Sequence, residues 1–279
     1  MEHGRREDAE DGLRGAGNFV VKDVIATGRD HVLYRAMRRG DGQPAVLQVF
    51  PGCDEVAARR VLSAVRPLIG LSHPAVQRVI DARVVDGRVL SVAVAPVEGE
   101  TLAARIERSG RLGIGEVVAL ATGAAAALAA IHRRGGAHGN LRPHNVVLSP
   151  DLGGAPVLTE VGLGELFLGA ALDTAPYTSP EQLTGAEPDA RSDVYALAAT
   201  LHAAIGGAPP FSGKSVVVLL QHVLGSPPAR LADRIPEVPA AIDAELQRAL
   251  AKDPADRHPD PTTLARALVR ACDLRARVH

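Results

Sequence analysis

The chain has 279 residues, 46% of them hydrophobic, with no tryptophan, four phenylalanines, three tyrosines and a formal net charge of -1. That is enough chain for one large or two modest cores, which must be built from aliphatic side chains, and the near-neutral charge argues against a nucleic-acid partner. Cys53 and Cys272 are isolated, without CxxC spacing, which argues against a disulfide framework or cysteine-rich zinc site and for a reducing cytoplasm.

Residues 1–17, MEHGRREDAEDGLRGAG, are polar and mixed in charge, with no apolar stretch of the signal-peptide kind; a disordered tail is expected there. No uninterrupted apolar run approaches the ~20 residues that cross a bilayer. The alanine-rich run 124–131 is far shorter, so no membrane insertion is expected. Three strands follow at 19–26, 31–38 and 44–50, the last two joined by the turn Arg39-Gly40-Asp41-Gly42. A helix is expected over 54–70, with Asp54 and Glu55 in its first turn. A hairpin at 76–85 and 88–95 turns at Asp86-Gly87. An alanine-rich helix over 115–134 ends at Gly135-Gly136. Strands at 145–148 and 155–159 precede an apolar helix at 194–205. A helix at 214–224 carries the apolar run Val216 to Leu220, read either as packing or as an interaction surface, and helices near 239–251 and 261–274 close the chain, the last opened by Pro259 and Pro261.

Residues 137–148, AHGNLRPHNVVL, carry the strongest signal. They resemble the catalytic loop H-R-D-L-x-x-x-N of Hanks-type serine/threonine protein kinases. His138 and Asn145 match, whereas Asn140 stands in the place of the catalytic aspartate and Gly139 in that of the arginine. The resemblance implies an α+β, two-lobed kinase-like fold. A small β-rich N-lobe with one helix and the hinge would occupy 18–97, and a larger helical C-lobe 98–275.

The resemblance extends in both directions with further departures. Residues 26–34, ATGRDHVLY, resemble the glycine-rich phosphate loop but keep only Gly28. Side chains at the other glycine positions obstruct the approach of phosphates to the backbone, and without the family the segment is a hairpin turn. Gln48 stands in the place of the phosphate-holding lysine of the third strand, and Ala64 in that of its glutamate partner. Loss of both together is coherent, because removing one member of a buried ion pair is the costly change. Around Glu98-Gly99-Glu100-Thr101-Leu102, the resemblance makes Val94 the gatekeeper and Ala95, Pro96 and Val97 the hinge that meets adenine through backbone groups. Arg142 falls where a lysine would face the γ-phosphate, and Asn145 and Glu160 (in Glu160-Val161-Gly162, for D-F-G) at the two magnesium positions.

The scaffold positions are better kept. Residues 163–173 correspond to the activation loop, with Asp173 in a glycine position. TAPYTSPEQ (174–182) resembles the G-T-x-x-Y-x-x-P-E-Q of bacterial members. The resemblance gives Glu181 and Arg257 a buried ion pair, Asp193 the task of tying down the catalytic-loop backbone, and His138 a packing and hydrogen-bonding role.

Taken together, the resemblance is to actinobacterial-like members and implies a degenerate pseudokinase without catalytic residues, acting in the cytoplasm as a signalling scaffold or allosteric regulator. It requires no cofactor and takes a protein partner (a signalling kinase, a phosphothreonine-binding protein or another regulated protein), with homodimerisation a further option. Val216, Val217 and Leu220, or phosphorylated Thr174 or Thr178, would meet that partner. The second reading is an ATP-sensing regulator that binds ATP weakly, with or without magnesium. The third, residual phosphoryl or nucleotidyl transfer, needs Glu160 as metal ligand and Arg29 or Arg142 in place of a lysine at Gln48.

Overall fold

The computed structural model describes residues 17–28, 31–51, 53–85, 89–167 and 173–276. Residues 1–16 of the expected tail, Arg29 and Asp30, the Asp86-Gly87 turn and residues 168–172 of the expected activation loop lie outside the described residues. The chain divides into two compact units, Met1–His73 with Gln77–Val97, and Pro74–Val76 with Glu98–His279.

The first unit is β-rich. Its strands are β1 (Phe19–Thr27), β2 (Val32–Arg38), β3 (Pro44–Pro51), β4 (Val79–Val85) and β5 (Val89–Val94), with α1 (Glu55–Val65) between β3 and β4. They form one antiparallel sheet in the order β1-β2-β3-β5-β4. Alternation sets its buried face: Val32, Tyr34 and Ala36 of β2 are buried, as are Ala45, Leu47 and Val49 of β3. Asp54 caps α1 by accepting the Ala57 N–H at 2.8 Å. The helix is shorter than the 54–70 expected, because Pro67 has no N–H to continue the ladder, and a 3₁₀ turn at Arg66–Leu68 replaces its end.

The second unit is mainly helical. A small sheet of β6 (Glu100–Thr101), β7 (Val146–Ser149) and β8 (Ala155–Leu158) accompanies α2 (Leu102–Ser109), α3 (Ile114–His132), α4 (Pro180–Leu183), α5 (Ala190–Gly206), α6 (Val216–Gly225), α7 (Ala240–Ala249) and α8 (Pro261–Ala276). Every residue of α5 from Ser192 to Ile205 is buried, as expected of a helix that is apolar all round. Gly99, at φ 141°, permits the turn into β6: a Cβ there would lie 2.3 Å from the Leu148 carbonyl oxygen.

Helix α3 is long and apolar enough to cross a membrane by length and composition. It instead packs against α5, α8 and β8, burying Leu120, Leu128 and Ile131 among others. The helix lies close to the 115–134 expected, and its apolar character rests on many alanines rather than an unbroken aliphatic run.

Candidate functional site

The centre of the second unit is the turn before β7, held by Asp193. This carboxylate has no exposed surface and accepts three hydrogen bonds, from the His138 N–H (2.8 Å), the Gly139 N–H (3.0 Å) and His132 Nε2 (2.7 Å). Such an arrangement satisfies a buried charge and fixes the loop backbone at the same time. Gly139 takes φ 70°, open to glycine without steric cost. His138 Nδ1 accepts the Asn140 N–H at 3.3 Å, and burial pushes its imidazole pKa down, with the Asp193 charge acting the other way. Nothing in the sequence marked His132, which reaches Asp193 only because α3 and α5 pack side by side.

Asn140 and Glu160 meet in this loop. The Asn140 side-chain amide donates to Glu160 Oε2 at 3.2 Å, and Asn145 donates its amide to the Asn140 carbonyl at 2.7 Å. Glu160 has φ 56°, the one non-glycine with positive φ among the described residues. Such a conformation costs of order 1–3 kcal/mol and persists only where the surroundings over-determine it. Those surroundings are visible: the Gly162 N–H donates to the His138 carbonyl at 2.9 Å, and a Cβ on Gly164 would sit 2.4 Å from the Gly139 carbonyl oxygen.

Asn145 and Glu160 are oxygen donors of the kind magnesium accepts. Yet one Glu160 oxygen takes the Asn140 amide, and among the described residues no group of three or more His, Cys, Asp or Glu side chains could hold a metal ion.

Arg142 pairs with Asp173, Nη1 to Oδ2 at 3.3 Å. The glycine-position aspartate therefore answers a cation expected to face phosphate. Thr174 is buried, and its carbonyl accepts the Tyr177 N–H at 3.0 Å and the Thr178 hydroxyl at 3.2 Å. Of the two threonines expected to meet a partner when phosphorylated, Thr174 is enclosed in this structure, and Thr178 is half-buried with its hydroxyl turned to the backbone. Burial pushes the neighbouring Tyr177 phenol up to about 12.

Glu181 and Arg257 form a two-pronged ion pair, with both N–O distances 2.7 Å. Arg257 is 1% exposed and spends its remaining donors on the carbonyls of Ala251 (2.8 Å), Lys252 (3.0 Å) and Arg191 (3.0 Å). Burial would raise the Glu181 carboxyl, but the Arg257 hydrogen bonds prevail and hold it below its ordinary value. Gln182 was not assigned a role from sequence: its Nε2 donates to the Gly139 carbonyl at 3.0 Å, so α4 also braces the loop.

The candidate positions of the first unit are described separately. Gly28 donates its N–H to the His31 carbonyl at 2.8 Å, closing the β1–β2 hairpin. The His31 ring lies 5.4 Å from that of Phe50 and within 2.9 Å of where a Gly28 Cβ would stand. Gln48 is 6% exposed on β3, and its Oε1 has no hydrogen-bond partner. Ala64 is half-buried in the last turn of α1. Val94 is buried at the end of β5. The Ala95 N–H donates to the Arg78 carbonyl at 2.9 Å, while its own carbonyl accepts Gln77 Nε2 at 2.8 Å. Part of the expected hinge backbone is thus already engaged by a side chain that sequence reasoning passed over; Val97 is half-buried.

Helix α6 resolves the two readings of residues 214–224 by face. Leu219 and Val223 are buried, while Val216 (38%) and Val217 (66%) are exposed, Leu220 is half-buried and Leu224 (42%) extends the exposed row.

Comparison with known proteins places these features. Residues 19–265 match the family model of the protein kinase domain. The serine/threonine-protein kinase PknH of Mycobacterium bovis is 34% identical over 273 residues, covering 93% of this chain and 45% of that protein. PknL of Mycobacterium tuberculosis is 30% identical over 287 residues, covering 99% of this chain and 69% of PknL. This chain therefore spans less than half the length of PknH. The crystal structure of the Mycobacterium tuberculosis PknI kinase domain matches with a TM-score of 0.76 and 29% identity, covering 91% of this chain and 96% of that domain. Rad53, solved with AMP-PNP, shares the fold alone, at a TM-score of 0.72 and 19% identity. The β-rich first unit and helical second unit are thus the two lobes of a kinase fold, and the chain belongs to the bacterial, Hanks-type serine/threonine protein kinase domain family.

Proposed function

We propose that this chain is a kinase-fold signalling protein that has given up phosphoryl transfer and works by binding a protein partner, as a scaffold or allosteric regulator. The observation that carries the reading is the Asn140–Glu160 hydrogen bond of 3.2 Å. An amide accepts no proton at physiological pH, so Asn140 is no general base, and it engages the carboxylate on which metal binding would depend. Gln48 adds no positive charge against a triphosphate, and Arg142 is already paired with Asp173. Phosphoryl transfer is almost entirely positioning and charge stabilisation, so losses at these separate places compound. The exposed Val216, Val217 and Leu224 of α6 offer an apolar surface for a partner.

An ATP-sensing regulator is the second reading, favoured by the strained backbone of Glu160, since strain of this kind is commonly kept at ligand clamps. Calorimetric titration with ATP, with and without magnesium, alongside a phosphate-transfer assay, separates the readings. No heat at millimolar ATP and no transfer would leave the partner-binding reading standing. Saturable micromolar binding without transfer would move the function to nucleotide sensing, and transfer would overturn both.

A further inference from the structure

The pairing of β4 with β5 runs one step beyond Val79 and Val94 and then changes character. The Ala95 N–H donates to the Arg78 carbonyl at 2.9 Å, so residues 77 and 78 lie alongside the start of the expected hinge. Among the described residues, the Ala95 carbonyl meets no backbone donor; it accepts the Gln77 side-chain amide, Nε2 to O at 2.8 Å. Both residues belong to the β-rich unit. Ala95 is half-buried and the following Pro96 is exposed, so water is near enough to serve this carbonyl. A glutamine is held there instead, at a cost in rotamer freedom. Pro96 has no N–H, and the Val97 N–H has no hydrogen-bond partner among the described residues. The hinge edge therefore keeps an open donor while its acceptor is taken. In the same unit the Gly28 N–H, expected to face phosphate, is likewise taken internally, by the His31 carbonyl.

We propose that the Gln77 amide stands in for the amino group of a purine and closes the hinge of this chain to 6-aminopurines. A primary amide and the amino group of adenine are the same kind of donor, an NH₂ on a planar group, and they compete for one carbonyl. With the Ala95 carbonyl occupied, an adenine amino group gives up its water and gains no partner, which is the costly case for a polar group. A 6-oxopurine, as in inosine, carries an acceptor at that position and makes no demand on Ala95. The inference rests on the partner-binding reading and gives it a residue that excludes the adenine ring. The two fail separately: phosphate transfer from ATP would overturn that reading, whereas Gln77 is tested with nucleosides, which carry no phosphate and make no demand on Gly28, Gln48 or Arg142.

The test is calorimetric titration of the full chain, Gln77→Ala and Gln77→Leu with adenosine and with inosine, each protein checked for folding by its melting curve. The unsubstituted chain should bind adenosine no more tightly than inosine. In Gln77→Ala the freed carbonyl should take the adenine amino group, raising adenosine affinity about fivefold to tenfold, the worth of one hydrogen bond, with inosine affinity unchanged. Where the unsubstituted chain gives no heat, the gain reads as saturable adenosine binding that appears in the variant. Gln77→Leu removes the donor while keeping most of the side-chain volume, and should move in the same direction if the smaller variant does not fold. Three outcomes would overturn the proposal. One is a tenfold preference of the unsubstituted chain for adenosine, which would mean that its hinge carbonyl is free. Another is no gain in adenosine affinity in either variant. The last is an equal gain for both nucleosides, which would make Gln77 an obstacle by bulk rather than by its hydrogen bond.

Discussion

The side-chain amide of Asn140 lies 3.2 Å from Glu160 Oε2 and donates to it. The position expected to hold a proton acceptor and the position expected to hold a metal carboxylate are therefore bonded to one another. Replacing Asn140→Asp removes that donor and sets a second carboxylate beside the first. The variant should lose about 1–3 kcal/mol of stability, read by urea unfolding. It should also remain unable to transfer phosphate from labelled ATP, because Gln48 and Ala64 are unchanged; clear transfer by this single variant would sink the partner-binding reading.

The Glu181–Arg257 pair is a cross-brace joining α4 to the turn before α8. Glu181→Ala leaves a buried guanidinium without its counter-ion and should cost about 3–5 kcal/mol. The double variant Glu181→Ala/Arg257→Met removes both charges and should cost less than the sum of Glu181→Ala and Arg257→Met. Denaturant midpoints of the four proteins measure this coupling; simple additivity would show that the pair does not act as a unit.

Gly164 permits the segment after Glu160 to lie against the loop at Gly139. A methyl group in Gly164→Ala would meet the Gly139 carbonyl oxygen, and the backbone must shift to relieve it, at a cost of about 1–3 kcal/mol. Hydrogen exchange should rise at Gly162, whose N–H donates to the His138 carbonyl, and not in the β-rich lobe. Unchanged exchange at Gly162 would mean that the two segments are held together by something else.

Acid should destabilise the protein in two stages. Burial pushes His138, His202 and His258 below the ordinary histidine value, so between that value and the lowered ones the unfolded chain binds more protons than the folded one. Their contribution is fully present above pH ~6.5 and is lost as pH falls below it. Glu181 is also held low, by Arg257 against the effect of burial, so its contribution is present above pH ~4.3 and is lost on further acidification. Unfolding midpoints followed across this range should show His138→Gln reducing the first decline and Glu181→Gln the second. A midpoint that rises on acidification would contradict the assignment.

Much of the lobe architecture was legible before any coordinates. Alternation in 31–38 and 44–50 marked two strands whose buried faces hold Tyr34 and Leu47, and the apolar run at 194–205 marked the buried helix α5. The ion pair of Glu181 with Arg257 was legible too, because motif residues of a shared fold keep fixed partners over long chain separations. The helix at 54–70 was overextended, since its periodicity continues past Pro67 while the hydrogen-bond ladder does not. Thr174 looked available because a threonine in a polar stretch carries no sign of enclosure.

By itself, the sequence determined the chemistry on offer: an amide at 140, a neutral side chain at 48, a carboxylate at 160, and the hydrophobic periods that build the elements. Tertiary structure alone decided what those groups meet. His132 reaches Asp193 across 61 residues, Gln182 reaches Gly139 across 43, and Arg142 reaches Asp173 across 31. Hydrogen bonds and ion pairs act over about 3–4 Å, and which groups come that close depends on how helices and loops pack, a property no local pattern of side chains contains.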